Sequence, residues 1–490
     1  MSKILSLFFA FLLLGYGDLA LAEIVNITLL QLNDVYEIEP ISGGKVGGLA
    51  RVATIRKELI QSNPNTYTIL GGDFVSPSAL GTAKINNKPL AGQQMIAVLN
   101  AMGLDFATFG NHEFDIKLDQ LLDRIKESNF TWISGNVLTA EKRPFPDVLP
   151  YKIITVTGNQ GTPVKIGLIG VTIDSNPANY VTYNDPIETA KQQVKQLKDQ
   201  VDIIVAITHL SLAQDQKIAE TIPEIDIILG GHEHENIQQW RGNDFTPIFK
   251  ADANAKTVYI HQLNYDTDKD KLSINSQIKP VTDAIIEEET TAKVAQEWRE
   301  KGFKAFRDNG FEPEQVIATT TVELDGLESS VRNHSTDLTN LINQAMLTTV
   351  KTANLSIFNG GSIRIDDVLP PGNISQYDII RILPFGGQIV SVDMKGSLIK
   401  KVLDQGVMNK GSGGFLQHGN VTLNQNTWYI KGEPINLDKT YRVAITDFLM
   451  TGKEIGLDYL TFNNPDVKLI EEKGDIRFAL INQLKNQNAQ

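Results

Sequence analysis

The sequence predicts a layered α/β unit, then a charged helix, then a second and smaller α/β unit. Three observations carry that reading. Apolar, β-rich segments alternate with amphipathic helical ones through the first half of the chain. Metal-ligand residue types stand just past five of those strands, where an open α/β sheet presents its chemistry. A mostly β stretch from Val258 to Ile278 gives way to a charged, helix-like run from Asp283 to Asn309, and α/β patterning resumes at about Val316.

The elements follow in order. Val25 to Leu32 alternates and is β-rich, so it is a strand; Leu49 to Ile60 is a helix and Tyr67 to Leu70 a strand. Gln94 to Met102 is a helix stopped by Gly103, and Phe106 to Thr108 is a short strand leading into Gly110. Leu118, Leu121, Leu122 and Ile125 have helical spacing. Val164 to Val171, Asp202 to Ile207 and Asp226 to Leu229 are strands, with Ile187 to Leu197 a helix between two of them. Val294, Trp298, Phe303 and Phe306 give the helix after Asp283 an apolar side, as expected of an interdomain helix.

A chain of 490 residues implies two or three domains, and 41% hydrophobic with 21% charged residues is an ordinary globular composition. The first 22 residues differ: Lys3, an apolar run from Ile4 to Leu14, then Ala20-Leu21-Ala22 read as a secretory signal cleaved after Ala22. The run is short of the ~20 residues that a membrane span needs; an uncleaved N-terminal anchor is the alternative. The polar end Asn488-Ala489-Gln490 follows no apolar tail, so no glycolipid-anchor signal is expected. The absence of cysteine excludes disulfides, Cys-ligated zinc and a thiol nucleophile, and points to a bacterial periplasm or medium. A net charge of −13 without a basic block argues against polymeric nucleic acid as a partner. An anionic small molecule remains compatible if metals and a few arginines make the pocket locally positive.

The five strand-end motifs are Leu32-Asn33-Asp34, Gly71-Gly72-Asp73, Gly110-Asn111-His112-Glu113-Phe114-Asp115, Thr208-His209 and Gly230-Gly231-His232-Glu233-His234. Their oxygen and imidazole donors suit divalent transition metals. Two such ions serve phosphate-ester hydrolysis, lowering the pKa of a bound water and clamping phosphoryl oxygens. Asp73, after a glycine turn, is the candidate for a carboxylate shared between two metals; Asn111 offers an amide oxygen. His112 could face the phosphate or leaving group with Asp115 holding its tautomer; the alternative is a polar turn capping the next helix. His209 alone would more often be a core histidine. His232 and His234, at i and i+2 of an extended segment, share a face. The other histidines, His261, His334 and His418, are given no metal role.

Taken in order, these motifs resemble the calcineurin-like metallophosphoesterase domain of the secreted 5′-nucleotidase family, which includes periplasmic UDP-sugar hydrolases and 2′,3′-cyclic nucleotide phosphodiesterases. The resemblance covers nearly the whole mature chain, including Gly47-Gly48-Leu49-Ala50-Arg51 and Gly135-Asn136. It implies an α-β-β-α catalytic domain over residues 23–282, a linker helix over 283–314 and a smaller α/β substrate-binding domain over 315–490. It also implies two divalent metal ions (Mn, Zn, Co or similar), with Asp34, Asp73, Asn111, His209, His232 and His234 as ligands and His112 and Asp115 as the catalytic dyad. The family's first motif reads Asp-X-His; here Asp34-Val35-Tyr36 places a phenol at the histidine position. Either one metal loses a ligand to water, and a harder ion such as Mn²⁺ is preferred over Zn²⁺, or Tyr36 coordinates as phenolate.

In the second half, Asn359-Gly360-Gly361-Ser362-Ile363-Arg364 resembles the family's Gly-rich segment ending in a substrate-contacting Arg. Leu383-Pro384-Phe385-Gly386-Gly387 and Asp447-Phe448-Leu449 resemble the segments whose two Phe rings stack on the base. The segment Arg332 to Ala345 resembles a family stretch that supplies a further substrate-binding Arg, here Arg332. Where the family has Gly-Gly-Asp after the second Phe, this chain has Gly452-Lys453-Glu454, so either Glu454 or Asp458 would serve the ribose. The resemblance implies hydrolysis of nucleoside 5′-monophosphates. Cyclic-nucleotide or nucleotide-sugar hydrolysis with the same site is the alternative within enzymes. A catalytically weak secreted nucleotide-binding protein is the alternative outside them, with Tyr36 its main support.

Overall fold

Successive side chains of single strands enter different apolar clusters, and that alternation builds the layers. The computed structural model describes residues 23–175 and 178–488, so the signal expected over residues 1–22 and the last two residues lie outside it. In the strand Ile24–Leu32, Val25, Ile27 and Leu29 enter one apolar cluster while Leu30 and Leu32 enter another. In Pro163–Thr172, Val164, Ile166 and Leu168 join the first cluster, and Ile169 and Val171 join a third. Successive side chains of a strand point to opposite faces, so two sheets share one core and each buries its other face under helices.

The first sheet has seven strands, in the order Lys271–Pro280, Thr257–Asp266, Ile24–Leu32, Thr66–Leu70, Phe106–Ala107, Thr131–Ile133 and Val148–Leu149. It is parallel from Ile24–Leu32 outward on one side and antiparallel on the other. The second has six, in the order Ile237–Arg241, Thr246–Lys250, Ile227–Gly230, Ile203–His209, Pro163–Thr172 and Tyr151–Thr157. The outer layers are the helices Leu49–Ser62, Gln93–Met102 and Leu118–Glu127 on the first sheet and Pro186–Leu197 and Leu212–Thr221 on the second. Gly103 ends its helix at φ 83°, a conformation that a side chain disfavours. The sequence reading passed over Tyr151–Thr157, the hairpin Ile237–Arg241/Thr246–Lys250 and the helix Leu212–Thr221. Tyr151–Thr157 and Ile237–Arg241 are edge strands, where a half-exposed pattern such as Gln238, Gln239 and Arg241 gives little apolar signal.

The helix Glu289–Asp308 packs Phe303 and Phe306 into the cluster that also holds Val52, Leu99, Ile317 and Leu480. One apolar core is therefore continuous from the first unit through this helix into the second. The second unit is a five-stranded sheet, ordered Leu416–Gly419, Leu355–Asn359, Thr440–Thr446, Gln388–Lys395 and Val467–Asp475. The helix Gly396–Met408 covers one face, and Asp337–Thr349 and Ile476–Asn488 cover the other. Among the described residues, no helix is long and apolar enough to cross a membrane.

His261 belongs to this framework. It is fully buried between Ser276 Oγ (2.8 Å) and Gln31 Oε1 (3.0 Å), and burial pushes its pKa down to about 3. The unfolded chain takes up this proton near pH 6.5, so the stability is complete above that pH and is lost as the pH falls toward 3. Between pH 7 and pH 5 the wild type should lose about 1–2 kcal/mol more stability than His261→Gln, from urea midpoints. Parallel losses in the two proteins would refute the assignment.

Candidate metal centre and substrate cleft

All five motifs lie at the ends of strands from both sheets, and their side chains meet. Asp34 and Asp73 turn inward at φ 53° and 56°, and His232 and His234 at φ 94° and 61°. Such left-handed backbone is uncommon for residues other than glycine and clusters where surrounding structure enforces it. Two glycines allow the approach of the loops. A Cβ on Gly72 would stand 2.6 Å from Gly110 N, and one on Gly110 would stand 2.0 Å from Asp73 Oδ1.

The donor atoms of Asp34, Asp73 and His209 lie within 4.8 Å of one another. Asn33 Nδ2 (2.7 Å) and the His232 backbone N–H (2.9 Å) both donate to Asp34 Oδ2. Asp34 Oδ1 is buried without a hydrogen-bond donor and faces His234 Nε2 at 3.4 Å. On Asp73, Oδ1 accepts the His112 backbone N–H (2.8 Å), while Oδ2 lies 3.3 Å from His209 Nε2. Asn111 Oδ1 lies 3.2 Å from the same nitrogen, and His209 Nδ1 is engaged with Gly71 O at 2.8 Å. That contact turns Nε2 toward the carboxylates, as in metal-ligating imidazoles. An orphaned buried carboxylate oxygen and oriented imidazoles form a donor set that fits divalent first-row metals.

The electrostatics demand positive charge. Burial alone would raise the Asp34 and Asp73 carboxyls, but His209 and its neighbouring histidines hold both below the usual range. Burial would lower His209, yet Asp73 and Asp34 raise it to about 9. His232, its ring edge-on to His209 at 5.3 Å, is lowered to about 4 by burial and by His209, so it is neutral.

Tyr36 projects into this cluster. Its hydroxyl lies 2.9 Å from His234 Nε2 and 3.3 Å from Asp73 Oδ2. Burial, then Asp73 and Asp34, push the phenol well above its usual range, so by itself it stays protonated.

His112 and Asp115 pair at 2.8 Å through Nδ1 and Oδ2, and Ser76 Oγ donates to the same carboxylate oxygen at 3.2 Å. The middle of that motif does something the sequence did not reveal. Buried Glu113 accepts the N–H groups of Asp73, Phe74, Val75 and Gly110, tying two ligand loops together. A second buried charge braces the other loops: Lys250 Nζ donates to Leu210 O (2.6 Å), Gly231 O (2.8 Å) and Glu233, and pairs electrostatically with Asp215. Asn136 and Arg51 serve the frame, with Asn136 bonded to the Thr172 backbone and Arg51 to Gly44 O and Gly47 O.

The second unit faces this centre. Arg364 Nη2 reaches His112 Nε2 at 3.0 Å, and Glu328 bridges Arg364 (3.3 Å) and Arg332. Asn359 Nδ2 donates to Glu454 Oε2 at 2.9 Å, both residues buried. Of the two acids, Glu454 is the buried one, beside Asn359, and Asp458 is exposed. Phe385 and Phe448 remain 59% and 42% exposed, unlike core rings. His261, His334 and His418 lie apart, bonded or packed to Ser276, Ser335 and Trp428 respectively.

Comparison with known proteins agrees with this geometry. Residues 27–236 match the calcineurin-like phosphoesterase model and residues 316–460 the 5′-nucleotidase C-terminal domain. The chain is 28% identical to 5′-nucleotidase of Bos taurus, over 92% of this chain and 86% of that protein. It is also 28% identical to the trifunctional nucleotide phosphoesterase of Bacillus subtilis, over 87% of this chain but 32% of that protein. The crystal structure of a 5′-nucleotidase precursor from Thermus thermophilus superposes with a TM-score of 0.76 at 24% identity, covering 95% of this chain and 97% of that one. The chain thus belongs to the 5′-nucleotidase family and is a metal-dependent phosphoester hydrolase, with a calcineurin-like phosphoesterase domain and a 5′-nucleotidase C-terminal domain.

Proposed function

We propose that the chain is a secreted bacterial 5′-nucleotidase that hydrolyses nucleoside 5′-monophosphates to nucleoside and phosphate. The observation that supports it most is the 3.0 Å approach of Arg364 to His112 across the two domains. A phosphate held by Arg364 and Arg332 would lie between the dyad and the carboxylate–imidazole cluster. The base would then reach Phe385 and Phe448, where stacking contributes ~1–3 kcal/mol without fixing base identity. Asn359 and Glu454 would take the ribose hydroxyls.

Asp34, Asp73 and His234 would hold one divalent ion, and Asp73, Asn111, His209 and His232 a second. Two such ions supply an activated water and neutralise phosphoryl charge when bound. The neutral Tyr36 phenol leaves the first position short of a strong donor, which favours a hard ion such as Mn²⁺ over Zn²⁺. Asp115 engages His112 Nδ1, and Nε2 here meets the Arg364 guanidinium; with a phosphate taking Arg364, a protonated imidazolium would offer its Nε2 proton to the departing nucleoside oxygen.

A cleft of about 490 Å³ lined by Ser76, Asp115, Lys117, Phe385 and Arg477 runs beside the dyad. It offers room for a second group on the phosphate, and so favours nucleotide diesters as the second reading. The decisive assay is phosphate release from AMP by metal-stripped protein reloaded with Mn²⁺, Zn²⁺, Co²⁺ or Mg²⁺, with Asn111→Ala as control. Metal-dependent release lost in the variant is expected. Failure with AMP but turnover of cyclic nucleotides or UDP-glucose would select the diester reading, and failure with all would leave a binding protein. In the same assay, Phe385→Ala should raise KM for AMP about tenfold and leave p-nitrophenyl phosphate nearly unchanged.

A further inference from the structure

We infer that Asp366 is a positioning residue that builds the His234 metal position only when the two domains are docked, so that metal binding and domain closure are coupled. The inference rests on the metal reading above. His234 belongs to the catalytic domain and Asp366 to the C-terminal domain, yet His234 Nδ1 and Asp366 Oδ2 are 2.6 Å apart. Both side chains are largely buried.

The local sequence explains the reach. In Arg364-Ile365-Asp366, Ile365 is buried in the apolar core, and the polar residues on either side both reach the centre. Arg364 thereby meets His112 while Asp366 meets His234, so one short segment touches both halves of the centre. Asp366 sits at φ 41°, and its second oxygen accepts the Glu328 backbone N–H at 2.9 Å. The carboxylate is therefore aimed before it meets the imidazole. Lys256 adds a further tie from the catalytic domain, donating to Asp366 O at 3.3 Å, and Ser42 Oγ donates to Asp367 at 3.1 Å.

An acceptor on Nδ1 fixes the tautomer whose Nε2 lone pair faces Asp34 and the Tyr36 hydroxyl. Most ligand histidines receive that acceptor from their own domain, as His209 does from Gly71 O. His234 receives it from the other domain. If docking raises metal affinity at this position, metal must favour docking by the same factor.

The test measures Mn²⁺ binding to the metal-stripped mature chain by calorimetry, together with the radius of gyration by small-angle X-ray scattering with and without Mn²⁺. The variants are Asp366→Ala and Asp366→Asn; the amide can accept from only one of its two present donors. Expected for the wild type are two bound ions and compaction on Mn²⁺ addition. In both variants one ion should bind about 10–100-fold more weakly, the other unchanged, and the compaction should shift to correspondingly higher Mn²⁺. Far-UV circular dichroism identifies a misfolded variant, and Asp366→Asn then decides. Unchanged affinities and unchanged compaction would overturn the coupling while leaving the metal reading intact. Absence of Mn²⁺ binding by the wild type would overturn both.

Discussion

Asp73→Ala is expected to lower kcat/KM for AMP by about 10³-fold or more, the scale set by loss of a principal electrostatic element of a catalytic site. Asp73 touches three parts of the centre. One oxygen holds the His112 backbone, and the other faces both His209 and Tyr36. The substitution would remove a donor from both proposed metal positions and release the backbone of the dyad histidine. Metal analysis of the purified variant, beside its steady-state kinetics, checks the account. A variant that keeps two ions and loses less than tenfold in kcat/KM would show that Asp73 is not the shared carboxylate.

His112→Asn should reduce kcat for AMP by about 10²–10⁴-fold, the usual worth of a positioned proton donor, with KM changed much less. The substrate separates two roles for the imidazole. A nucleoside oxygen needs a proton as it leaves, whereas p-nitrophenolate does not. If His112 supplies that proton, p-nitrophenyl phosphate should lose far less than AMP. Equal losses on both substrates would assign His112 to the phosphoryl group instead, beside Arg364 at 3.0 Å.

Much of this centre was legible in the chain because its candidate ligands obey local rules. Each metal-ligand candidate follows a β-rich run, and strand ends of one sheet edge are neighbours in any α/β layer. Asp34 and His209, almost 180 residues apart in sequence, could be named as partners because both stand at such ends, and the fold brings their donor atoms within 4.8 Å with Asp73. Ile24–Leu32 and Pro163–Thr172 read clearly as strands since both of their faces are buried. Ile237–Arg241 did not, because an edge strand carries solvated polar side chains that mask its period.

The supporting residues were not legible. Glu113, Lys250 and Asp366 are charged, and in sequence a charged residue reads as solvated surface. Each is instead buried against groups that only the fold supplies: four backbone N–H groups for Glu113, two carbonyls and two carboxylates for Lys250, and an imidazole from the other domain for Asp366. The choice between Glu454 and Asp458 was open for the same reason, and the Asn359 amide settles which of them is turned inward.

The sequence by itself determined the alternation of strands and helices, the chemistry of the ligand set and the departure at Tyr36, because residue type and spacing are local properties. The tertiary structure alone decided which charges are buried, how each imidazole is oriented, and that Arg364 and Asp366 cross from one domain to the other half of the centre. Burial and orientation depend on groups hundreds of residues apart, and a pairing of that kind leaves no period in the chain.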